Sequence, residues 1–162
     1  MQEVTVGPAE EVVLDNARRK AAAVAAAAPL GSSSEQALLL AVDTIVALGQ
    51  VVYGKPADRD EAESTLRALS GAVHRVLSGV CLLDGDRERT AVATTVVRFR
   101  ALDESTLAWY LDCGEWRERA GGYAIQGRGA ALVAAIDGDY LNVVGLPVAT
   151  LLELEPALLI GR

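Results

Sequence analysis

The stretch Leu38–Pro56, LLLAVDTIVALGQVVYGKP, constrains the fold more than any other part of the sequence. Its first five residues, Leu38–Val42, are all apolar, which predicts a fully buried strand that ends at Asp43. A carboxylate set into such a run must be hydrogen-bonded, paired with a cation or bound to a metal, because an isolated buried charge is very costly. Lys55 is the next basic residue, and Gly49-Gln50 supplies turn chemistry between the two.

Two interpretations of Asp43 and Lys55 remain open from these residues alone. In the functional interpretation, a rigid hairpin holds the acid and the lysine close together, where they would bind a metal ion and a phosphate. In the structural interpretation, Asp43 caps a turn and Lys55 lies in solvent.

The overall composition excludes several classes of protein. A length of 162 residues suffices for one domain with a real core. A net charge of −7 argues against broad binding to nucleic acid or anionic membranes, although one local basic pocket would still hold phosphates. No segment reaches the roughly 18 apolar residues of a membrane span. The two cysteines lie too far apart for a zinc cluster, and the N-terminus lacks the layout of a signal peptide, so a cytoplasmic protein is expected.

The predicted elements mix helices and strands, which favours an α/β or α+β fold in a single domain of residues 1–162. Arg18, Arg19 and Lys20 form a basic cluster on the first helix, either as a solvated face or with one side chain directed at a phosphate. The expected elements are a helix from Pro8 to about Ala28, a loop over Pro29–Glu35, a helix capped by Asp58, a hairpin of Val73–Leu83 and Thr90–Phe99, a helix capped by Asp103, a buried strand over Ala130–Ile136 and a closing helix over Val148–Leu154.

The catalytic motifs of the commonest hydrolases and nucleotide-binding proteins are missing. His74 is the one histidine, so any Ser-His-Asp or Cys-His chemistry would depend on a residue better explained as a hydrogen-bonded structural group. There is no G-x-x-x-x-G-K-[ST] loop, G-x-S-x-G elbow or H-E-x-x-H helix. The remaining carboxylates, lysines, arginines and amides suit metal-assisted attack on phosphorus.

Several short motifs occur in one order along the chain. They are Asp43-Thr44-Ile45-Val46, Gly54-Lys55-Pro56, Leu69-Ser70-Gly71 with His74-Arg75-Val76, Ala120-Gly121-Gly122-Tyr123-Ala124-Ile125-Gln126-Gly127, and Asn142-Val143-Val144-Gly145-Leu146-Pro147. Taken together, these motifs resemble the Maf family of nucleoside triphosphate pyrophosphatases. The resemblance extends from about Pro8 to Leu154.

The resemblance implies an inosine-triphosphatase-like fold, with a twisted mixed sheet flanked by helices and a cleft between two lobes, often in a homodimer. It implies cleavage of a nucleoside triphosphate to the monophosphate and pyrophosphate with Mg²⁺ or Mn²⁺. The Asp-Thr and Ile-Gln-Gly forms resemble the branch that prefers dTTP and UTP, which suggests a housecleaning role. The alternative branch acts on methylated guanine or cytosine nucleotides.

The resemblance also implies roles for individual residues. Asp43 matches the proton acceptor, which acts on water directly or through the metal, and Lys55 matches a lysine that neutralises phosphate charge. Lys20 matches a helix lysine that faces the same phosphates. Thr44 and Gln126 match positions linked to base choice, where a Gln amide can pair with the imide edge of a pyrimidine.

Two departures from the family pattern qualify these roles. The usual N-terminal strand and S-x-S-P-R-R loop are absent, and a metal-linked Glu before the first helix is lost or displaced, with Met1 or Glu3 near its place. Arg119 stands where the family usually has Lys, which keeps the charge but changes its geometry. An N-terminally truncated domain is therefore expected. A non-catalytic nucleotide-binding or regulatory module and a remnant without function are the alternatives to an enzyme.

Overall fold

The computed structural model describes residues 7–27, 38–85 and 87–159. Within these residues a five-stranded sheet is flanked by helices, which confirms the predicted mixed α/β class. The sheet has the order β2-β1-β3-β4-β5. The strands are β1 Leu38–Leu48, β2 Val51–Tyr53, β3 Val73–Asp84, β4 Arg87–Phe99 and β5 Val133–Asp137.

Neighbouring strands in this sheet run antiparallel throughout the described residues. The predicted hairpin of β3 and β4 is confirmed, with Val73 opposite Arg98 and Asp84 opposite Arg87. The resemblance implied a mixed sheet, whereas each of these pairings joins strands of opposite direction. Antiparallel neighbours can be connected by tight turns, and Gly49 provides one between β1 and β2 with a φ of 59°.

The helices begin where the sequence predicts caps. Asp58 accepts a hydrogen bond from the Glu61 backbone N–H at 2.9 Å, and Asp103 accepts one from the Thr106 N–H at 2.8 Å. The helices are α1 Ala9–Ala27, α2 Arg59–Leu69, α3 Glu104–Cys113, α4 Tyr140–Val144 and α5 Val148–Leu154. Short 3₁₀ turns cover Ala120–Gly122, Arg128–Leu132 and Pro156–Leu159.

The sequence-based prediction for β1 is wrong in two respects. In Leu38–Val42 only Ala41 is buried, and Leu40 is 40% exposed, so this part of the strand has a partly wet surface. Asp43 does not end the strand but is the sixth of its eleven residues. β1 continues because Ile45, Val46 and Ala47 are buried and β3 pairs with it along nearly its whole length.

The prediction of a buried strand over Ala130–Ile136 is also wrong. Residues up to Leu132 form a 3₁₀ turn, and β5 begins at Val133. β5 lies at one edge of the described sheet and pairs with β4 alone, which leaves Ile136 exposed. An apolar run does not distinguish a central strand from an edge strand. The expected loop over Pro29–Glu35 and the positions of Met1 and Glu3 lie outside the described residues.

Hydrophobic residues pack on both faces of the sheet. On one face, α1 packs against β1 and β3 through Val13, Ile45 and Leu77. On the other, α2 and α3 pack against a larger cluster that includes Val46 and Leu66. Successive residues of a strand point to opposite faces. Asp43 therefore lies on the α1 face with Ile45, whereas Thr44 lies on the opposite face with Val46.

Candidate active site

Asp43 is buried on β1 and bound by two side chains of α1. The Asn16 amide Nδ2 donates to Asp43 Oδ2 at 3.1 Å, and the Lys20 ammonium pairs with Oδ1. Asp43 is 3% exposed, so these partners supply the compensation that a buried carboxylate requires. The sequence predicted such a partner, but it is Lys20 of α1 rather than Lys55 of the hairpin.

The close approach of α1 to the sheet depends on Gly79 of β3. Gly79 lies opposite Asp43 in the strand register. A Cβ atom on Gly79 would lie 2.4 Å from the backbone oxygen of Val13, which is too close for any real contact. The missing side chain therefore lets α1 lie directly on the strands and brings Asn16 and Lys20 within reach of Asp43.

Asp43 and Thr44 lie beside an open edge of β1. β2 pairs with β1 only from Val46 onward, with Val46 opposite Tyr53. Among the strands of the described residues, none pairs with this side of β1 at Asp43 or Thr44. Side chains from both faces of β1 can therefore reach one cavity at this edge. Lys55 lies beside it because the chain leaves the sheet after Tyr53.

A loop that follows α3 forms the far side of this edge. The Gly121 N–H donates to the Gly54 carbonyl at 2.9 Å, which ties the loop to the turn that carries Lys55. Glu118 has a φ of 58°, which is uncommon outside glycine, and its carboxylate lies 3.5 Å from Lys55 Nζ. Glu118 is 85% exposed, so this pair is accessible to a ligand.

Thr44 is half-buried and begins a chain of hydroxyl and amide groups whose other members are buried. Its Oγ1 lies 2.8 Å from Ser78 Oγ on β3, and Ser78 donates to the Asn142 carbonyl at 3.5 Å. Asn142 Nδ2 donates to the Val76 carbonyl and to Thr95 Oγ1, both at 3.0 Å. These bonds hold the segment after Asn142 against the sheet beside Thr44.

The predicted site residues line one cavity of about 200 Å³. Its cations are Lys20, Lys55 and Arg119, and its carboxylates are Asp43 and Glu118. The remaining predicted residues in its wall are Thr44 and Gln126. The structure thus brings together residues from α1, β1, the turn after β2 and the loop after α3. Their individual roles remain predictions.

The donor set of the cavity fits a magnesium-class ion. Within the described part of the chain, no group of three or more His, Cys, Asp or Glu side chains is placed to hold a metal. Mg²⁺, however, is usually bound by one or two carboxylates and completed by water and substrate phosphates. The cavity offers Asp43 and Glu118, and a carboxylate has about four lone-pair sites, so the two bonds of Asp43 leave acceptor capacity.

His74 is buried outside the cavity wall and serves the structure, as the sequence indicated. Its Nε2 lies 2.9 Å from the Tyr123 hydroxyl, and its ring packs edge-on against Phe99. Burial lowers the pKa of His74 to about 4, so the imidazole is neutral at pH 7. Cys81 and Cys113 are both free thiols, buried and half-buried respectively.

Sequence reasoning missed two residues of the site. Asn16 lies four residues before Lys20, which places both side chains on one face of α1, and this spacing was a usable signal. Glu118 carried no such signal, because its position opposite Lys55 follows only from the packing of the loop on the hairpin.

Comparisons with known proteins identify the family to which the chain belongs. Residues 2–155 match the family model described as Maf-like protein. The chain belongs to the Maf-like family. Within the described residues, no helix of this family member is long and apolar enough to cross a membrane.

The chain is similar to several curated members of the family. It is 47% identical to the dTTP/UTP pyrophosphatase of Pyrococcus furiosus over 116 residues, or 72% of this chain and 61% of the relative. It is 54% identical to the dTTP/UTP pyrophosphatase of Symbiobacterium thermophilum over 112 residues, or 69% of this chain and 58% of the relative. It is 42% identical to that of Pyrococcus horikoshii over 150 residues, or 93% of this chain and 77% of the relative. The chain spans about three fifths of the length of the first two relatives.

Proposed function

We propose that this chain hydrolyses nucleoside triphosphates, with dTTP and UTP as preferred substrates, to the nucleoside monophosphate and pyrophosphate. The observation that carries the proposal is a buried carboxylate, Asp43, in the wall of one cavity with three cations. Similarity to proteins named dTTP/UTP pyrophosphatase supports the choice of substrates.

The cations of the cavity would bind the triphosphate. Lys20, Lys55 and Arg119 come from three separate segments that line the same cavity, so a triphosphate there would have cations from all three within its surroundings. Lys20 already neutralises Asp43, and a bound phosphate would share its ammonium with that carboxylate. The exposed pair of Lys55 with Glu118 would open at little cost, which frees the lysine for a phosphate oxygen.

Asp43 would accept a proton from the attacking water. The water oxygen bonds to the α-phosphorus, and the bond from that phosphorus to the bridging oxygen breaks. The electron pair leaves with pyrophosphate, whose charge Lys55 and Arg119 would stabilise. Asp43 is held in place by Asn16 and Lys20, so its carboxylate is oriented before substrate binds.

Mg²⁺ or Mn²⁺ is part of this proposal, with Asp43 as its expected ligand and Glu118 as the second carboxylate in the wall. When bound, such an ion neutralises phosphate charge and polarises the phosphoryl oxygens.

Thr44 and Gln126 would contact the base. The Gln126 amide offers a donor and an acceptor side by side, which match the imide edge of thymine or uracil. Thr44 Oγ1 is held 2.8 Å from Ser78 Oγ, which fixes the position of the hydroxyl oxygen. A cytoplasmic location and a homodimer also remain proposals, and sedimentation measurements would test the dimer.

Pyrophosphate release from a panel of nucleoside triphosphates tests the proposal, with Mg²⁺ or Mn²⁺ present. We expect turnover of dTTP and UTP, and its loss by at least about a hundredfold in Asp43→Asn, since removal of a general base has effects of this size. Asp112→Asn is the matched control, because Asp112 is an exposed carboxylate paired with Arg59 outside the cavity.

Two other results of this assay would change the proposed function. Nucleotide binding without turnover in either form would replace the enzyme with a non-catalytic binding module. Preference for methylated guanine or cytosine nucleotides would keep the reaction and change the substrate.

A further inference from the structure

One carboxylate, that of Glu115, forms hydrogen bonds with the backbone of the segment that carries Gln126. Glu115 follows α3 and lies outside the wall of the candidate active-site cavity. Its Oε1 accepts a hydrogen bond from the Arg128 backbone N–H at 3.0 Å, and its Oε2 accepts one from the Gly129 N–H at 3.2 Å. Hydrogen bonds to a charged acceptor are stronger than those between neutral groups.

Two glycines make this clamp possible. A Cβ atom on Gly127 would lie 2.7 Å from both carboxylate oxygens of Glu115. A Cβ atom on Gly129 would lie 2.5 Å from the Ala124 carbonyl oxygen. The segment Ala124–Gly129 is therefore folded tightly around the Glu115 carboxylate, and Gln126 lies at its exposed middle.

A second side chain anchors the start of the segment. The buried Tyr110 hydroxyl accepts a hydrogen bond from the Ala124 N–H at 3.0 Å. Tyr110 thus holds the backbone before Gln126, and Glu115 holds it afterwards. Without Glu115 the segment would be anchored by Tyr110 on one side of Gln126 and would lose its charged anchor on the other.

Base discrimination by a Gln amide requires a fixed orientation. The amide has a donor on one side and an acceptor on the other, so the flipped amide matches cytosine as well as the original matches uracil. A fixed backbone at Gln126 is the first condition for one orientation. Binding of the triphosphate has no such requirement, because charge attraction tolerates small displacements.

We propose that Glu115 is a positioning residue for base recognition, which acts through the backbone on Gln126. The inference rests on the proposed function, because it assumes that Gln126 contacts the base. Glu115 would select among nucleotides without contacting them, since its carboxylate bonds to the backbone N–H groups of Arg128 and Gly129.

The test compares the ratio of kcat/KM for UTP to that for CTP in Glu115→Gln, Gln126→Ala and the double variant. Gln at position 115 has nearly the same shape as Glu but keeps one acceptor and turns an NH₂ toward the other backbone N–H. We expect Glu115→Gln to lower the ratio by about tenfold, the effect of losing one hydrogen bond to a charged group. Because Glu115 acts through Gln126, the double variant should have the ratio of Gln126→Ala alone.

Amide hydrogen exchange provides a readout that does not depend on turnover. We expect faster exchange at Arg128 and Gly129 in Glu115→Gln and unchanged exchange at Ala124, which Tyr110 holds. Asp112→Asn is the control, because this nearby carboxylate is paired with Arg59 and should change neither the exchange rates nor the ratio.

The outcomes separate this proposal from the proposed function. A wild-type ratio that persists in Glu115→Gln overturns the role of Glu115 and leaves the enzyme intact, as do additive effects in the double variant. Absence of turnover in the wild type overturns the proposed function, and the role of Glu115 in base recognition with it. Faster exchange at Arg128 and Gly129 would then show only the structural clamp.

Discussion

Gly79 on β3 lies directly opposite Asp43 on β1, and the backbone of α1 occupies the space that a side chain on Gly79 would need. Asp43 and Gly79 therefore form one strand pair, in which Asp43 supplies the carboxylate and Gly79 leaves room for α1, the helix that neutralises it. A residue with no chemistry of its own decides whether Asn16 and Lys20 reach Asp43.

We predict that Gly79→Ala destabilises the fold by about 1–3 kcal/mol, because overpacking of a dense core has effects of this size. The new methyl group would meet the Val13 carbonyl oxygen and push α1 away from the sheet. Urea unfolding monitored by circular dichroism measures the change. Gly54→Ala is the matched control, since a Cβ atom there has no neighbour within 4 Å. Equal stability of the two variants would contradict the prediction.

Replacement of Asn16 by Asp should add a new contribution to the pH dependence of the stability. The new carboxylate would lie about as close to Asp43 as the amide does now, at 3.1 Å, and two carboxylates this close raise the pKa of one of them. At this pair the folded state then binds more protons than the unfolded state, so the free energy of unfolding of the variant, relative to that of the wild type, rises as the pH falls below 7. Unfolding curves at several pH values measure this trend.

The control for this experiment is Asn16→Leu, which removes the same donor without adding an acid. It should cost about 1–3 kcal/mol, the penalty for a buried group that loses a partner. A similar pH trend in Asn16→Leu and Asn16→Asp would show that the effect does not come from the new carboxylate.

The exposed pair of Lys55 and Glu118 should matter more for function than for stability. We predict that Lys55→Met lowers kcat/KM for UTP by at least about tenfold, because one charge-assisted bond to phosphate is lost. Neither Lys55→Met nor Glu118→Gln should change the free energy of unfolding by more than about 1 kcal/mol, since an exposed ion pair contributes little. Steady-state kinetics and urea unfolding of both variants check this. A large stability loss in Lys55→Met would indicate a structural lysine instead.

His74 should make the protein less stable in mild acid. Its folded-state pKa of about 4 lies below the ordinary value of 6.5, so the unfolded chain binds a proton in this range that the folded chain does not. The free energy of unfolding therefore falls as the pH drops from about 6.5 to about 4, by about 3 kcal/mol over the whole window. His74 is the one histidine in the sequence, so no other imidazole contributes to the pH dependence.

His74→Phe should lack this part of the pH dependence, because a phenyl ring keeps an aromatic contact with Phe99 and does not titrate. Unfolding of both proteins between pH 4 and 7 measures the difference. Parallel curves for the two proteins would show that His74 is not the group responsible.

Much of the fold was predictable from local sequence. The caps Asp58 and Asp103, the hairpin of β3 and β4 and the closing helix from Val148 depend on turn chemistry and periodicity within a few residues. The burial of strands was less predictable. An apolar run over Leu38–Val42 was consistent with a buried strand, but burial depends on what lies beside the strand, which sequence does not state.

The amino-acid sequence specifies the chemical groups available to this protein: a carboxylate in an apolar strand, lysines on a helix and a turn, and the ordered motifs of the Maf-like family. Which of these groups come into contact depends on the tertiary packing. Asp43 pairs with Lys20 and not with Lys55, because Gly79 has no side chain that would keep α1 away from the sheet. Because β2 ends at Tyr53, side chains from both faces of β1 can reach one cavity at this edge of the strand. Such contacts join residues distant in the chain, and local patterns carry no information about them.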